Sequence, residues 1–343
     1  MKMPSMLEKM MFGFIESQVL FVCHELNLFD YLNEKGKASS KEISHHLRLP
    51  ASSLERLLIC ATSMHLLEKM DGRYKLNPAL VPFLTRKSKE YCGDKFSHYW
   101  KRTYDIFRYL QQAIDENKPQ WDKLDSTNIT DQSLDSVYKH GIYSDETATN
   151  EFLQTMWASG YADSMELCEK YSLQHQTKLV DLGGASGSFA IAALQKNPKL
   201  HAVVMDYPQV KPYAEGKYRE YNVDARALFY TGDIFNDVLP QGDVYSIGYV
   251  LSDWPDDRCV SLINKAYKQL PSDGLIIILE KFFNEDKSGP YLTSMLNLTM
   301  LLEMHGQHRN IAEYCNWLNE AGFSNVEVIY SAGEKHMMIG KKI

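Results

Sequence analysis

Hydrophobic positions divide the chain into two parts with different periodicity. In the first part they recur with helical spacing, as Ile15, Val19 and Val22 do. In the second part, short apolar runs alternate with longer amphipathic stretches, which is typical of strands and helices in an α/β domain. We therefore predict a helical domain over residues 1–165 and an α/β domain over residues 166–343.

The helical part contains the signals of a helix-turn-helix unit followed by a hairpin. The spacing of Ser39 and Glu42 predicts a capping box at the start of one helix. Pro50 opens a second helix, as proline does near a helix start. Asp71 and Gly72 predict a tight turn between two short extended runs. Together these signals indicate a winged-helix-like unit.

Charge argues against nucleic acid as the main partner of this unit. The net charge of the chain is −7, which disfavours a protein that mainly binds phosphates. The helix predicted over residues 51–67 has Arg56 as its one Lys or Arg residue and is otherwise largely apolar. A recognition helix needs several polar or basic side chains that face base edges. We therefore expect no nucleic-acid partner, and a DNA-binding regulator is kept only as a rival hypothesis.

The second part predicts a doubly wound sheet. Strands are predicted over residues 178–182, 201–206, 227–233, 244–251, 275–280, 326–330 and 336–342. The last two are close enough in sequence to form an antiparallel pair, and the others imply a largely parallel sheet. Ligands of such sheets bind beyond the carboxyl ends of the strands.

A glycine-rich loop follows the first of these strands. Neither of its registers fits the G-x-G-x-x-G dinucleotide fingerprint, and no Gly-Lys-Ser/Thr phosphate loop is present. The spacing that fits is Asp181-x-Gly183-x-Ala185-x-Gly187, which resembles motif I of class I S-adenosylmethionine (SAM) methyltransferases. SAM has no phosphates, and glycines allow backbone carbonyls to approach its ammonium group.

Acidic residues at the ends of two further strands support SAM as the cofactor. Asp206 ends the second strand, where a carboxylate can accept hydrogen bonds from both ribose hydroxyls. Asp233 follows the third strand, where a carboxylate can accept from the adenine amine. Each aspartate alone could equally be a helix cap.

Beyond this motif, the chain resembles the two-domain small-molecule O-methyltransferases of the caffeate and hydroxyindole type, and in particular their acetylserotonin branch. The segments that carry the resemblance are SQVLF, ELNLFDYL, DLGGASG, MDYPQV, GDIF, VLSDWPDDRC, GPYLTSMLNLTML and NWLNEAGF. The resemblance implies a Rossmann-like α/β domain with a mostly parallel seven-stranded sheet that binds SAM. It also implies an N-terminal helical, winged-helix-like domain that forms a homodimer.

The resemblance further implies roles for individual residues. SAM contacts are implied for Gly183, Asp206, Asp233, Ile234, Tyr143 and Trp254. Thr299, Met300 and Glu303 fall where relatives line the cavity for a small-molecule acceptor, and we add His305 as a candidate substrate contact.

The catalytic segment departs from the family pattern. Relatives read V-L-H-D-W, in which the histidine is the general base, but Ser252 precedes Asp253 here. Relatives also carry G-x-E-R, whose glutamate orients that histidine, but His308 occupies its position. A serine hydroxyl is no base near neutral pH, so the expected histidine–glutamate pair is missing.

Three mechanisms remain open at this point. His308, opposite Ser252, could be a relocated base, because an imidazole has a suitable pKa. His305 is a second candidate for this base, and Asp253 could orient either histidine. Alternatively, no base is needed, because a sulfur, amine or carbon nucleophile is aligned with the methyl group. Finally, methyl transfer could be lost, and bound SAM would act by its positive charge in some other small-molecule reaction. A structural, non-catalytic dimer partner is a separate rival hypothesis.

Several features complete the sequence-based expectations. No apolar run approaches the roughly 18 residues of a membrane span, so we expect no membrane partner. The N-terminus lacks a secretion signal, and the six cysteines show no C-x-x-C pair, so we expect a cytoplasmic protein without a metal site.

Overall fold

The computed structural model describes residues 3–88, 90–124 and 137–343. Its contacts group the chain into two compact units, one up to Tyr104 and one from Asp105 onwards. The described residues between 105 and 165, which the sequence pattern placed with the helical domain, belong to the second unit. The boundary at residue 165 marks a change of secondary-structure pattern, and as a domain boundary it stays a prediction.

The elements of the first unit are mostly short helices. Its helices are α1 (Ser5–Glu25), α2 (Leu28–Lys35), α3 (Ser40–Leu47), α4 (Ala51–Ser63), α5 (Val81–Leu84) and α6 (Gly93–His98), and its strands are β1 (Ala38–Ser39), β2 (Leu67–Met70) and β3 (Arg73–Leu76). A short helix, α7 (Tyr104–Ile106), spans the division between the units.

The local signals of the first unit are confirmed. The Ser39 side chain accepts from the Glu42 N–H and the Glu42 carboxylate accepts from the Ser39 N–H, which completes the capping box of α3. Asp71 and Gly72 both have positive φ, and they join β2 to β3 in antiparallel register. The three strands form a small sheet in the order β1-β3-β2.

The second unit alternates strands and helices. Its strands are β4 (Lys178–Leu182), β5 (His201–Asp206), β6 (Ala227–Thr231), β7 (Val244–Gly248), β8 (Leu275–Glu280), β9 (Phe282–Phe283), β10 (Arg309–Asn310), β11 (Phe323–Ile329) and β12 (His336–Lys342). Its helices are α8 (Leu110–Glu116), α9 (Glu146–Lys170), α10 (Ser188–Lys196), α11 (Lys211–Glu220), α12 (Asp256–Gln269), α13 (Tyr291–Glu303) and α14 (Ile311–Ala321).

The predicted sheet is confirmed as seven strands in the order β11-β12-β8-β7-β4-β5-β6. Strands β4 to β8 run parallel, and β12 and β11 are added in antiparallel register. Both faces are covered, because Leu179 and Val180 on β4 pack into different apolar clusters. The chain reverses its strand order between β4 and β7, which places a crevice at their carboxyl ends.

Two of the parallel strands end earlier than the apolar pattern predicts. The third strand stops at Thr231, because Asp233 closes a turn by accepting the N–H of Phe235. The fourth stops at Gly248, because Tyr249 has a φ of 53° and leaves the extended conformation. Within the described residues, no helix combines the length and the apolar character that a membrane crossing needs.

Candidate active site

The glycine loop connects β4 to α10 through three residues with positive φ. Gly183, Ala185 and Gly187 have φ values of 66°, 51° and 85°. A side chain on Gly183 would place its Cβ 2.8 Å from Val250 Cγ2, so only glycine fits this turn. Gly187 is the N-cap of α10, so the loop leads from the carboxyl end of β4 directly into the N-terminus of this helix.

Asp206 is tied directly to this loop. One oxygen of its buried carboxylate accepts the Ala185 N–H at 2.9 Å, and the other accepts the Tyr207 N–H at 2.7 Å. Burial raises the pKa of Asp206 to about 6, although the two N–H donors lower it. The carboxylate has further lone pairs for hydroxyl donors of a ligand.

Asp233 and Ile234 lie beyond the next strand, β6. The Asp233 carboxylate accepts from the backbone of Phe235 and from the Asn236 side chain, so it also stabilises its own turn. The Ile234 side chain lies beside the loop, 3.7 Å from where a Cβ on Gly183 would stand. The structure therefore brings Ile234 to the glycine loop and gives Asp233 a turn-forming role as well.

An aromatic cluster lies next to Asp206. Tyr143 has its ring 6.1 Å from the Tyr207 ring, and the Asp206 charge contributes to the raised pKa of this buried tyrosine, after burial itself. Tyr138 stacks on Trp254 with ring centroids 6.2 Å apart and an angle of 10°. Aromatic faces of this kind attract cations, including a sulfonium centre.

Tyr138 connects this cluster to the candidate catalytic segment. It lies in a π-helical turn over Val137–Ile142, a geometry that is frequent at functional sites. Its hydroxyl donates a hydrogen bond to the Asp253 carboxylate. Burial raises the pKa of Asp253 to about 7, and this hydrogen bond opposes the rise. Sequence reasoning missed Tyr138, because no motif surrounds it.

The loop after α13 packs on the segment that carries Ser252 and Asp253. A Cβ on Gly306 would lie 2.2 Å from the Ser252 carbonyl oxygen and 2.5 Å from the Trp254 nitrogen. The buried Arg309 guanidinium donates to the carbonyls of Leu251 and Trp254. The two segments that differ from the family pattern, one around Ser252 and one around His308, therefore face each other.

His308 lies in this loop as a buried imidazole. Its backbone N–H donates to the Asn297 side chain at 2.7 Å, and its Nδ1 has no hydrogen-bond partner among the described residues. Burial, followed by the charges of Lys281 and Arg309, lowers its pKa to about 4. The ring is neutral at neutral pH but is a weak base, and its catalytic role stays a prediction.

Glu280, at the end of β8, was missed by the sequence reasoning. Its carboxylate is fully buried and accepts the Ser252 N–H at 3.2 Å. Burial raises its pKa to about 7, helped by the nearby Asp253, whereas Ser252 and Arg309 lower it. The signal was present in the sequence, because this acid ends an apolar strand as Asp206 does.

The candidate acceptor residues lie on or after α13. Thr299 and Glu303 are buried, and Met300 packs against the central apolar cluster. His305 is exposed in the loop that follows. The structure brings the first three together on one helix and leaves His305 at the surface. Within the described part of the chain, no group of three or more metal-ligating side chains is present.

Comparison with known proteins identifies the family. A family profile described as the O-methyltransferase domain matches residues 107–324, and a profile described as the O-methyltransferase dimerisation domain matches residues 8–86. The chain belongs to the SAM-dependent O-methyltransferase family.

Relatives match along nearly the whole chain. Acetylserotonin O-methyltransferase from Bos taurus is 30% identical over 98% of this chain and 97% of its own length. N,N-dimethyltransferase OxyT from Streptomyces rimosus is 26% identical over 90% of this chain and 87% of its own. The structure of human N-acetylserotonin methyltransferase in complex with SAM superposes with a TM-score of 0.89 at 26% identity, covering 98% of this chain and 97% of that chain.

Proposed function

We propose that this enzyme transfers the methyl group of SAM to a hydroxyl group of a small-molecule acceptor. The observation that carries the proposal is the position of Asp206. Its carboxylate lies at the end of β5 and is held by the backbone of the glycine loop. A polar anchor at that place, beside a cluster that contains the buried rings of Tyr143 and Trp254, suits a nucleoside with ribose hydroxyls and a cationic sulfur.

The residues of the site fit SAM chemically. Asp206 would accept from the ribose hydroxyls, and the backbone around Gly183 would meet the amino-acid end. Ile234 and Trp254 offer apolar surface to the adenine, and Tyr143 offers a ring beside Asp206. When bound, SAM supplies an electrophilic methyl group, and its transfer leaves a neutral thioether. These side chains orient the reactants and exclude water.

The acceptor would lie against α13. Thr299, Met300 and Glu303 present a hydroxyl, a thioether and a carboxyl from one helix, and we propose them as its lining together with His305 at the exposed end. One of the relatives is an N,N-dimethyltransferase. A panel of test acceptors must therefore include an amine as well as hydroxyl compounds.

The first unit is proposed to form a homodimer through α1. Large apolar side chains on this helix are solvent-exposed in the single chain, and they include Met6, Met10, Met11, Phe12 and Phe14. An apolar surface of this kind marks an interaction site. The match to a dimerisation domain over residues 8–86 supports the same arrangement.

All six cysteines are free thiols, which supports a reducing, cytoplasmic setting.

Asp206→Asn tests the cofactor site. The variant loses a charged acceptor for ribose hydroxyls, so SAM affinity should fall about 10- to 100-fold. Isothermal titration calorimetry measures this loss, with the exposed Asp224→Asn as a matched control. Turnover with labelled SAM is then measured on 2-naphthol, 5-hydroxyindole and an aromatic amine. Heat on titration of a pyridine dinucleotide but not of SAM would refute the proposal.

A further inference from the structure

Glu280 is a buried acid with one uncommitted oxygen. It ends β8, and its side chain has no solvent exposure. Oε1 accepts the Ser252 N–H, whereas Oε2 has no hydrogen-bond partner among the residues that the structure describes. An unsatisfied buried carboxyl oxygen destabilises a fold, so its retention points to a use beyond packing.

The Ser252 hydroxyl interacts with the same Glu280 carboxyl group. Both the backbone and the side chain of Ser252 stabilise the ionised form of Glu280. Ser252 is itself buried, directly before Asp253 and under the loop that contains Gly306. Ser252 therefore occupies the position at which the family places its base, and Glu280 lies directly beside it.

The electrostatic surroundings of Glu280 determine whether its carboxyl group is protonated or ionised. The titratable and charged groups that act on it are Tyr249, Asp253, Cys259, Arg309, Tyr314 and Lys335. Burial and the Asp253 charge bring its pKa to about 7. A proton acceptor works best when its pKa is near the operating pH, so Glu280 is better matched than His308, whose pKa is about 4.

We propose that Ser252 and Glu280 form a proton relay that replaces the missing histidine. The acceptor hydroxyl gives its proton to Ser252 Oγ, while the Ser252 proton passes to the Glu280 carboxylate. The acceptor oxygen keeps the electron pair of its O–H bond and forms the bond to the methyl carbon, while the carbon–sulfur bond breaks and its electron pair stays on the sulfur as a neutral thioether. After the product leaves, the protonated Glu280 returns its proton to Ser252 Oγ as the serine gives its own proton to solvent. The relay rests on the proposed hydroxyl-directed function.

Ser252→Ala and Glu280→Gln test the relay on two acceptors. 2-Naphthol must lose a proton during the reaction, whereas pentafluorophenol is already ionised at neutral pH. Turnover of 2-naphthol should fall about 100-fold or more in both variants, and turnover of pentafluorophenol by less than about threefold. The wild-type rate on 2-naphthol should fall as the pH drops below about 7, and Glu280→Gln should lose this dependence.

Controls separate the relay from a structural role. Glu320→Gln, at an exposed position of α14, is the matched substitution. Ser252→Ala retains the backbone hydrogen bond to Glu280, so it keeps the test valid if Glu280→Gln does not fold. Infrared difference spectra follow the protonated carboxyl band against pH without any acceptor. Ser252→Ala should move the Glu280 titration upwards, because the hydroxyl lowers that pKa.

Three outcomes would overturn the relay. Unchanged 2-naphthol turnover and an unchanged pH profile in both variants would exclude it, as would loss of turnover in His308→Gln alone. An infrared titration that Ser252→Ala leaves unmoved would also exclude it. Failure of the wild-type enzyme to bind SAM or to methylate any acceptor would instead refute the proposed function.

Discussion

Replacing Gly306 with alanine should push apart the two segments that hold the candidate catalytic residues. The added Cβ would stand 2.2 Å from the Ser252 carbonyl oxygen, 2.4 Å from the Asp253 carbonyl carbon and 2.5 Å from the Trp254 nitrogen. All three neighbours are backbone atoms, so no side-chain rotation can relieve the overlap.

The displacement can be estimated from ordinary contact distances. Non-bonded heavy atoms approach to about 3.5 Å, so the segments must separate by about 1 Å. Overpacking of this kind costs about 1–3 kcal/mol of unfolding free energy. The same shift moves Ser252 and Asp253 relative to the acceptor, and a misplacement of about 1 Å can lower turnover about 100-fold.

Urea unfolding and labelled-methyl turnover measure the two effects. Gly216→Ala is the matched control, because Gly216 lies within α11 and a Cβ there would meet no atom within 4 Å. That control should be neutral or stabilise the fold by up to about 1 kcal/mol, since alanine is the better helix former. If Gly306→Ala unfolds like the wild type and keeps its turnover, the close approach of the two segments is wrong.

Two further predictions concern the dimer and the dependence of stability on pH. Met10→Glu together with Phe12→Glu should convert a dimer into monomers in analytical ultracentrifugation, because both side chains are exposed apolar surface on α1; a dimer that persists would place the interface elsewhere. Asp253 and Glu280 have raised pKa values of about 7. Between about pH 5 and 7 the folded state therefore binds more protons than the unfolded state. The contribution of these two groups to the unfolding free energy falls as the pH rises through this range. Asp253→Asn should weaken this slope in urea unfolding measured from pH 5 to 8; a slope equal to that of the wild type would contradict the raised pKa.

The sequence alone determined the fold class, and it located the glycine loop on which the proposed cofactor site is built. Gly183 and Gly187 follow directly after an apolar run. A glycine loop at the end of a strand can be recognised from such neighbouring residues, because it is a local feature of the chain. Asp206 was identifiable because it ends a predicted strand, and parallel strands bring their carboxyl ends to one edge of the sheet. The capping box of Ser39 and Glu42 is likewise a contact across three residues.

The tertiary structure decided the electrostatics of the catalytic segment. His308 has the residue type of a base, yet burial and two neighbouring cations lower its pKa, and no sequence pattern states burial. Glu280 meets Ser252 across 28 positions, and Tyr138 meets Asp253 across 115. Such pairs depend on how strands and helices pack, because desolvation and hydrogen bonding act through space and not along the chain.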